Sequence, residues 1–300
     1  MNTKSNHKLK NLSPGFTNTD STEIFNSKPL KNDGSPAAHD PQPTTHNPQP
    51  ATHNSQPATG NRQHATHNPQ PEPCYAVNLG IKDYKEAWKL QSDIVSARVN
   101  GIIDRDIILF LEHPTVFTLG RRGGLDHLLV SEEFLKTSGI PIVHVERGGN
   151  ITFHGPGQLV AYPIVNLKAH NIGVVDFVDA LEDVMLGTVR TWGIAAERSP
   201  ANRGIWVGNN KMGSIGLAIR KGISFHGLAL NVNIDLTPFS WIQPCGLQGV
   251  CMTSMKQELG GELSMDDVCA TLKKQFESVL DLNLTSASFS HLQHQLQNPG

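Results

Sequence analysis

Cysteine is scarce in this chain, and its spacing excludes two classes of structure. The 300 residues contain four cysteines, at positions 74, 245, 251 and 269, and no two of them form a Cys-x-x-Cys pair. A disulfide framework or a structural zinc site needs paired or clustered cysteines at short, regular spacing. We therefore expect free thiols and no metal site.

Long apolar runs are absent as well. No stretch is long and apolar enough to cross a bilayer. The first ten residues, MNTKSNHKLK, lack both the apolar core of a signal peptide and the arginines of a transit peptide. These absences predict a cytoplasmic protein that does not associate with membranes.

Neither sign of charge dominates the sequence. Lysine and arginine together number 25, aspartate and glutamate 27, and the formal net charge is −2 at pH 7. General nucleic-acid binding needs a strongly basic surface. The charge balance therefore predicts that nucleic acid is not a partner.

The first 73 residues differ in composition from the rest. They contain no valine or tryptophan and two phenylalanines, so they bury too little apolar surface to offset the entropy lost on folding. A seven-residue pattern, PQPTTHN at 41–47, recurs in three further copies. Its histidines, His46, His53 and His67, have no cysteine or carboxylate partners within the repeat, so a repeat without metal binding is the simpler interpretation. We expect residues 1–73 to be a disordered tail.

Residues 74–285 have the length and apolar content of one folded domain, and 286–300 form a short polar C-terminal tail. Apolar side chains recur at helical spacing in 84–99, in 177–192 and after Ser264. Short β-rich runs lie at 107–111, 142–145, 159–165, 205–207, 211–219 and 228–234. This combination predicts an α/β or α+β fold. Because the later runs follow one another without room for crossover helices, we expect a mixed, largely antiparallel sheet packed with helices.

A glycine-rich segment, RGGNITFHGPGQ at 147–158, has the composition of a pocket wall. Four glycines and a proline in twelve residues remove side chains where a ligand or another backbone must approach closely. Arg147, Thr152 and His154 supply hydrogen-bond donors around that space. The segment matches neither the GxxxxGK[ST] pattern of a phosphate loop nor the GxGxxG pattern of a dinucleotide loop.

Two later segments, KMGSIG at 211–216 and FHGLALN at 225–231, alternate small and apolar residues. This pattern predicts strands that line a groove for an alkyl chain, with Gly213, Gly216 and Gly227 leaving width. Taken singly, His113 and His226 are more simply interpreted as core or surface histidines.

Cys245 differs from the other cysteines because it lies between Pro244 and Gly246. That context predicts a turn with an exposed backbone, and a lysine ammonium nearby would favour the thiolate over the thiol. A thiolate in such a setting is a nucleophile for acyl transfer. Lys211 is the candidate for the lysine.

Together these segments resemble the lipoyl(octanoyl) transferases, the LipB-type family, which move an octanoyl group from acyl carrier protein to a lysine of lipoyl domains. The resembling patterns are RGGxxTxHGPGQ at 147–158, KxxSIG at 211–216, HGLALN at 226–231 and PCG at 244–246. The resemblance covers nearly all of 75–282 and none of the tail. The fold that it implies is that of the biotin and lipoate protein ligases.

The resemblance also implies a role for each matched segment. Cys245 would carry the acyl group as a thioester, and Lys211 would favour the thiolate of that cysteine. The acyl substrate would be bound by Arg147, Gly148, Gly149, Asn150, Ile151, Thr152, Phe153, His154, Ser214, Ile215, Gly216, Gly227, Leu228 and Ala229. No cofactor is implied. The implied donor is octanoyl-acyl carrier protein, and the implied acceptors are the lipoyl domains of 2-oxoacid dehydrogenase E2 subunits and the glycine cleavage H protein.

Three other functions fit parts of the same pattern. An ATP-dependent lipoate or biotin ligase would share the fold and a lysine, but its adenylate intermediate would not need the PCG turn. A Cys–His hydrolase would release free acid from a thioester without an amine acceptor. A non-catalytic scaffold that binds lipoyl domains would not depend on Cys245.

Deleting residues 1–70 should leave octanoyl transfer and the melting temperature nearly unchanged, because a segment that buries no surface adds little stability. Activity assays and thermal unfolding of the truncated and full-length chains measure this. A large loss of either would mean that the tail docks on the domain.

Overall fold

The computed structural model describes residues 72–200, 202–243 and 251–297. The predicted disordered tail, apart from its last two residues, and the PCG turn at 244–246 lie outside the described residues. In the described part, no helix is both long and apolar enough to span a membrane.

Helices and strands alternate along these ranges. The helices are α1 (Tyr84–Val99), α2 (Glu132–Thr137), α3 (Val174–Thr191), α4 (Met255–Leu259), α5 (Met265–Leu280) and α6 (Phe289–Gln297). The strands are β1 (Glu72–Ile81), β2 (Asp106–Glu112), β3 (Val116–Leu119), β4 (Ile142–His144), β5 (Ile151–His154), β6 (Gln158–Ile164), β7 (Glu197–Arg198), β8 (Ile205–Val207), β9 (Asn210–Arg220), β10 (Ile223–Asn231), β11 (Cys251–Met252) and β12 (Leu282–Ser286). Short 3₁₀ helices lie at Leu125–His127 and Thr237–Trp241.

One large mixed sheet forms the centre of the domain. Its strands run in the order β12, β1, β2, β6, β10, β9, β8 and β7, and β11 pairs with β9 outside this path. In this order, every neighbouring pair from β2 through β6, β10, β9 and β8 to β7 is antiparallel. The pairs β12–β1 and β1–β2 are parallel. Helix α1 supplies the crossover that the parallel pair β1–β2 requires. The predicted mixed, largely antiparallel sheet packed with helices is confirmed.

Helices cover both faces of this sheet because its central strands are apolar on both sides. On β2, Ile108 and Phe110 pack in the cluster that contains α3 and α5, whereas Ile107 and Leu109 pack in the cluster that contains α1. Successive side chains of a strand point to opposite faces. The continuous apolar run in β2 is therefore that of a strand buried on both faces.

A second sheet, in the order β4, β3, β5, holds the glycine-rich segment. Strand β3 pairs in parallel with β4 and antiparallel with β5. Its core includes Phe117 and Phe153, whose ring centroids are 5.2 Å apart. Because residues 145–150 join β4 to β5, this small sheet fixes both ends of the glycine-rich turn.

The three helices predicted from apolar spacing are present, and the two ends that capping residues predicted, at Gly193 and Ser264, are confirmed. Helix α3 is followed by its C-cap, Trp192, and then by Gly193, whose φ of 81° lies in the left-handed region that ends helices. At the start of α5, the Ser264 hydroxyl accepts a hydrogen bond from the Asp267 backbone N–H at 3.2 Å. This is half of the predicted capping box.

The predicted domain end at residue 285, with a separate polar tail at 286–300, is wrong. Strand β12 pairs with β1, and α6 follows it. Leu292 is buried against the α1 side of the core, with Phe289 and Leu296 packed beside it. The helix has few apolar side chains, so composition alone makes it look like a polar tail. At the other end, β1 begins at Glu72, two residues before the predicted domain start at 74.

Candidate functional site

A cavity of about 550 Å³ lies where the glycine-rich turn meets β9 and β10. Predicted site residues in its lining are Arg147, Gly148, Gly149, Asn150, Ile151, Thr152, His154, Lys211, Ser214, Ile215, Gly216, Gly227, Leu228 and Ala229. The lining is completed by Tyr84, Arg122, Val160, Tyr162, Val178, Asn202, Arg203 and His226. Of the predicted site residues that the structure describes, Phe153 alone does not line this cavity.

Phe153 packs in the core, which corrects its prediction as a substrate-binding residue. It is 3% exposed and contacts the rings of Phe117 and Phe239. Its neighbours on β5, Thr152 and His154, line the cavity. Alternation along the strand therefore turns Phe153 to the opposite face.

Arg147 braces the glycine-rich turn against β3. Its guanidinium donates to the Thr118 carbonyl oxygen at 2.6 Å, to the Thr118 hydroxyl at 2.7 Å and to the Gly148 carbonyl oxygen at 3.0 Å. A Cβ on Gly120 would lie 2.6 Å from the Gly149 carbonyl oxygen and 2.7 Å from Arg147 Nη1. The chain can therefore pass the arginine only because residue 120 has no side chain. Arg147 acts mainly as a brace that shapes this wall.

Lys211 is held at the cavity wall by β9. Its side chain is 2% exposed, its Nζ donates to Asn202 Oδ1 at 2.6 Å, and Nζ lies 5.3 Å from the centre of the Trp206 ring. An acceptor and an aromatic face offset part of the cost of burying an ammonium group. The backbone is fixed as well, since the Lys211 carbonyl accepts from the Thr253 N–H at 3.0 Å.

Strand β10 bends where it enters the cavity. His226 has a φ of 55°, in the left-handed region that histidine adopts only at an energetic cost. A Cβ on Gly227 would lie 2.2 Å from the Ala161 carbonyl oxygen, so only glycine fits between β10 and β6.

The prediction that Gly213 widens the groove is wrong, because a Cβ there would face Met185 and Ile205 in the core at 2.6 and 2.9 Å.

Buried histidine and tyrosine rings pack around Tyr84, beneath the cavity. His113 Nδ1 lies 2.7 Å from the Lys82 carbonyl oxygen and His113 Nε2 lies 2.7 Å from the Tyr162 hydroxyl. A neutral imidazole satisfies both contacts, donating to the carbonyl and accepting from the hydroxyl. The interpretation of His113 as a core histidine is confirmed. Sequence reasoning did not connect it with Tyr84 and Tyr162, because Tyr84 lies on α1, Tyr162 on β6, and His113 directly after β2.

Burial keeps these rings uncharged. It lowers the pKa of His113 to about 4 and raises the pKa of Tyr84 to about 12. It also holds the pKa of His154 well below its usual value and that of Tyr162 well above. For His226, burial lowers the pKa and outweighs the opposing effect of Glu146, whose nearest oxygen is 3.8 Å from Nε2. At neutral pH these histidine and tyrosine rings are therefore polar but uncharged.

A chain of buried amides connects the glycine-rich segment to the strand that carries Lys211. His154 Nδ1 contacts Gln158 Oε1 at 2.7 Å, and Gln158 Nε2 donates to Asn231 Oδ1 at 2.9 Å. Asn231 Nδ2 then donates to the Thr253 carbonyl oxygen at 3.0 Å. Because all four residues are buried, each partner fixes the next. This chain explains why β6 begins with glutamine and β10 ends with asparagine.

Cys245, the predicted nucleophile, lies outside the described residues. Of the described residues on either side of that segment, Gln243 donates its backbone N–H to the His127 carbonyl at 2.8 Å, and Met252 pairs with Lys211. Burial raises the pKa of the thiols of Cys74 and Cys269, which opposes thiolate formation there. Cys251 is an exposed free thiol. Over the described ranges, no group of three His, Cys, Asp or Glu side chains could hold a metal ion.

Arginines near the cavity mouth differ in their surroundings. Arg121 and Arg122 are exposed, and Arg122 lines the cavity. Arg203 forms ion pairs with Asp179 and Glu182, and Arg220 with Glu146. Neighbouring carboxylates therefore offset the positive charge of Arg203 and Arg220, whereas no carboxylate in the described part of the chain pairs with Arg121 or Arg122.

Two relatives of this chain are both named octanoyltransferase. Residues 83–277 match the lipoyl protein ligase A/B catalytic domain. An octanoyltransferase of Desulfotalea psychrophila is 46% identical over 208 residues, which cover 69% of this chain and 92% of the relative. An octanoyltransferase of Syntrophobacter fumaroxidans is 43% identical over 194 residues, covering 65% and 85%.

Solved structures share the fold at low sequence identity. A lipoate-protein ligase A bound with ATP has a TM-score of 0.61 at 17% identity, over 75% of this chain and 92% of that one. A bipartite lipoate protein ligase from Thermoplasma acidophilum has a TM-score of 0.59 at 16% identity, over 76% and 90%. The predicted lipoate-ligase fold is confirmed.

We expect the stability of the domain to fall between pH 7 and pH 5, because His113 is neutral in the fold. Its pKa is about 4 when folded and 6.5 ordinarily, so the unfolded chain takes up the proton first and acid favours unfolding. The loss from His113 alone is about 2 kcal/mol over this interval. Urea unfolding at pH 7, 6 and 5 measures it.

In His113→Gln, the loss of unfolding free energy between pH 7 and pH 5 should be smaller than in the wild type by about 2 kcal/mol. His144→Gln, at an exposed position on β4, should lose as much unfolding free energy over this interval as the wild type does. An unchanged slope in His113→Gln would show that other groups carry the pH dependence.

Proposed function

The chain belongs to the octanoyltransferase family of lipoyl protein ligase A/B catalytic domains, and we propose that it works through a thioester on Cys245. It is an acyltransferase that moves octanoyl groups in protein lipoylation. The proposal concerns the covalent intermediate, the role of Lys211, the donor and the acceptors.

In the first proposed step, the Cys245 thiolate attacks the thioester carbonyl of octanoyl-acyl carrier protein. The carbon–sulfur bond to the carrier's phosphopantetheine breaks, and that sulfur leaves as a thiolate. Thioester exchange is nearly isoenergetic, so the step needs a thiolate but no ATP. The ammonium of Lys211 would favour the thiolate of Cys245 and then supply a proton to the departing sulfur.

In the second proposed step, the neutral amine of an acceptor lysine attacks the Cys245 thioester. The new carbon–nitrogen bond forms an amide, the Cys245 sulfur leaves as a thiolate, and Lys211 takes the proton lost by the amine. The amide is more stable than the thioester, which drives the transfer forward. Donor and acceptor use the site in turn.

The observation that carries this proposal is the position of Lys211 in the wall of an acyl-sized cavity. Val160, Leu228 and Ala229 give the cavity apolar surface, and the lysine lies on the same wall as Ser214–Gly216. Burying six methylenes of an octanoyl chain contributes roughly 5 kcal/mol at about 0.8 kcal/mol each. In addition, Met252, seven residues after Cys245 in the sequence, pairs with Lys211 on β9.

The proposed partners follow from this chemistry. We assign octanoyl-acyl carrier protein as donor, and the lipoyl domains of 2-oxoacid dehydrogenase E2 subunits and the glycine cleavage H protein as acceptors. The expected location is the cytoplasm.

Cys245→Ser should lower transfer by more than about 1,000-fold without unfolding the protein, because serine is not ionised at neutral pH. Incubation of the wild type with octanoyl carrier protein should give an octanoyl adduct on Cys245 that hydroxylamine removes. Intact-mass analysis and the transfer rate measure both effects, without ATP.

The matched control is Cys251→Ser, at an exposed thiol, which should keep most activity. If Cys251→Ser is the inactive variant, the assigned nucleophile is wrong. If transfer requires ATP and no adduct forms, the chain is a ligase. Release of free octanoate without an acceptor would indicate a hydrolase.

Reversing Arg121 and Arg122 to glutamate should raise KM for octanoyl carrier protein about tenfold, with a smaller change in kcat. Carrier proteins are acidic, both arginines are exposed, and Arg122 lines the cavity. The effect should weaken as salt is added. Steady-state kinetics at several ionic strengths measure it.

A short octanoyl thioester without the carrier serves as the control substrate, and the variant should use it as well as the wild type does. Reversing Lys85 and Lys274, which are exposed and do not line the cavity, should leave both substrates unaffected. Equal losses on both substrates in the arginine variant would show that these arginines act in the pocket or in folding.

A further inference from the structure

The Lys211 ammonium rests against a loop that sequence reasoning did not include in the site. This loop joins β7 to β8, and its residue Asn202 lines the cavity. Asn202 Oδ1 accepts a hydrogen bond from Lys211 Nζ at 2.6 Å. The contact is short enough to fix the direction of the lysine side chain.

Asn202 is itself held in place from a second side. Its backbone carbonyl accepts a hydrogen bond from Trp206 Nε1 at 3.2 Å, and the Trp206 ring also faces the Lys211 ammonium. Two residues further on, Gly204 has a φ of 120°, and a Cβ there would lie 2.1 Å from the Gly213 carbonyl oxygen and 2.9 Å from Lys211 Cε. The loop can therefore lie this close to Lys211 only because residue 204 is glycine.

A buried carboxylate on α3 anchors the loop from behind. Glu182 is 1% exposed, and its Oε1 accepts from the Gly204 backbone N–H at 2.7 Å. Its Oε2 accepts from Arg198 at 2.9 Å and contacts Arg203 at 3.3 Å, so both ends of the loop are tied to the same group. Removing one member of such a network leaves the charges and hydrogen-bonding groups of the other members buried without a partner. The network therefore favours one loop conformation.

We infer that Asn202 is a positioning residue for the transfer reaction, which holds the Lys211 side chain toward the acyl site. The inference rests on the proposed function, in which Lys211 assists Cys245. An amide oxygen suits this role because it accepts a hydrogen bond without carrying charge. A carboxylate at this position would form an ion pair with the ammonium and compete with the thiolate for it.

Asn202→Ala should lower the single-turnover rate with a short octanoyl thioester about 10- to 100-fold, a loss typical of a misplaced group. KM should change little, because Asn202 holds the lysine and not the acyl chain. In a Cys251→Ser background, mass spectrometry can measure the rate at which iodoacetamide alkylates Cys245. The pH at which this rate rises should shift to a higher value in Asn202→Ala. Asn202→Asp, which keeps the acceptor oxygen, should restore part of the rate with an altered pH profile.

The matched control is Asn209→Ala, two residues before Lys211 at an exposed position that does not line the cavity. It should match the wild type in rate, pH profile and melting temperature. In a Lys211→Met background, Asn202→Ala should have no further effect, because its target is already absent.

Two outcomes separate this inference from the proposed function. Full activity in Lys211→Met would overturn the role of the lysine, and the inference with it. An inactive Lys211→Met together with a wild-type Asn202→Ala would overturn the inference and leave the proposed function standing. Additive losses in the double variant would show that Asn202 supports the fold and does not act through Lys211.

Discussion

The antiparallel pairing of β9 with β10 is the constraint on which the cavity depends. It sets Gly216 opposite Gly227 and Ser214 opposite Ala229, so residues from two neighbouring strands form one wall. β10 is in turn held against β6, where Gly227 allows a backbone approach that any side chain would block. The wall is therefore built from backbone at the centre of the sheet, where hydrogen bonds on both sides leave little freedom to move.

Buried polar groups hold the rest of the site, and each of them has a defined structural task. Arg147 braces the glycine-rich turn, Gln158 and Asn231 link that turn to the lysine strand, and Glu182 anchors the loop beside Lys211. Burying such groups costs free energy unless hydrogen bonds replace water. At these positions hydrogen bonds replace apolar packing. Hydrogen bonds are directional, so they fix side-chain geometry more tightly than dispersion contacts do.

The electrostatics of the cavity follow from the same contacts. Burial keeps the histidine and tyrosine rings on one side neutral, while Lys211 lies on another side. A neutral apolar and polar surface suits an acyl chain, and a nearby ammonium suits a reacting sulfur. Carboxylates pair with Arg203 and Arg220, whereas Arg121 and Arg122 are exposed and have no carboxylate partner among the residues that the structure describes.

The sequence by itself determined the sheet class, the three longest helices, and 14 of the 22 residues that line the cavity. These features depend on local periodicity, capping residues and short motifs, which a linear chain displays directly. The sequence motif also led to the prediction that Phe153 lies in the site. A motif consists of consecutive residues, whereas successive side chains of a strand point to opposite faces, so not every residue of the motif faces the cavity.

Tertiary structure alone decided which distant residues meet. Asn202 contacts Lys211 from a loop, Glu182 anchors that loop from α3, and neither residue carries a local sequence signal for its contact. The C-terminal segment became strand β12 and helix α6 only because β1 offers a free edge and α1 an apolar surface. Such contacts are set by the free energy of packing the whole chain, which no short stretch of sequence contains.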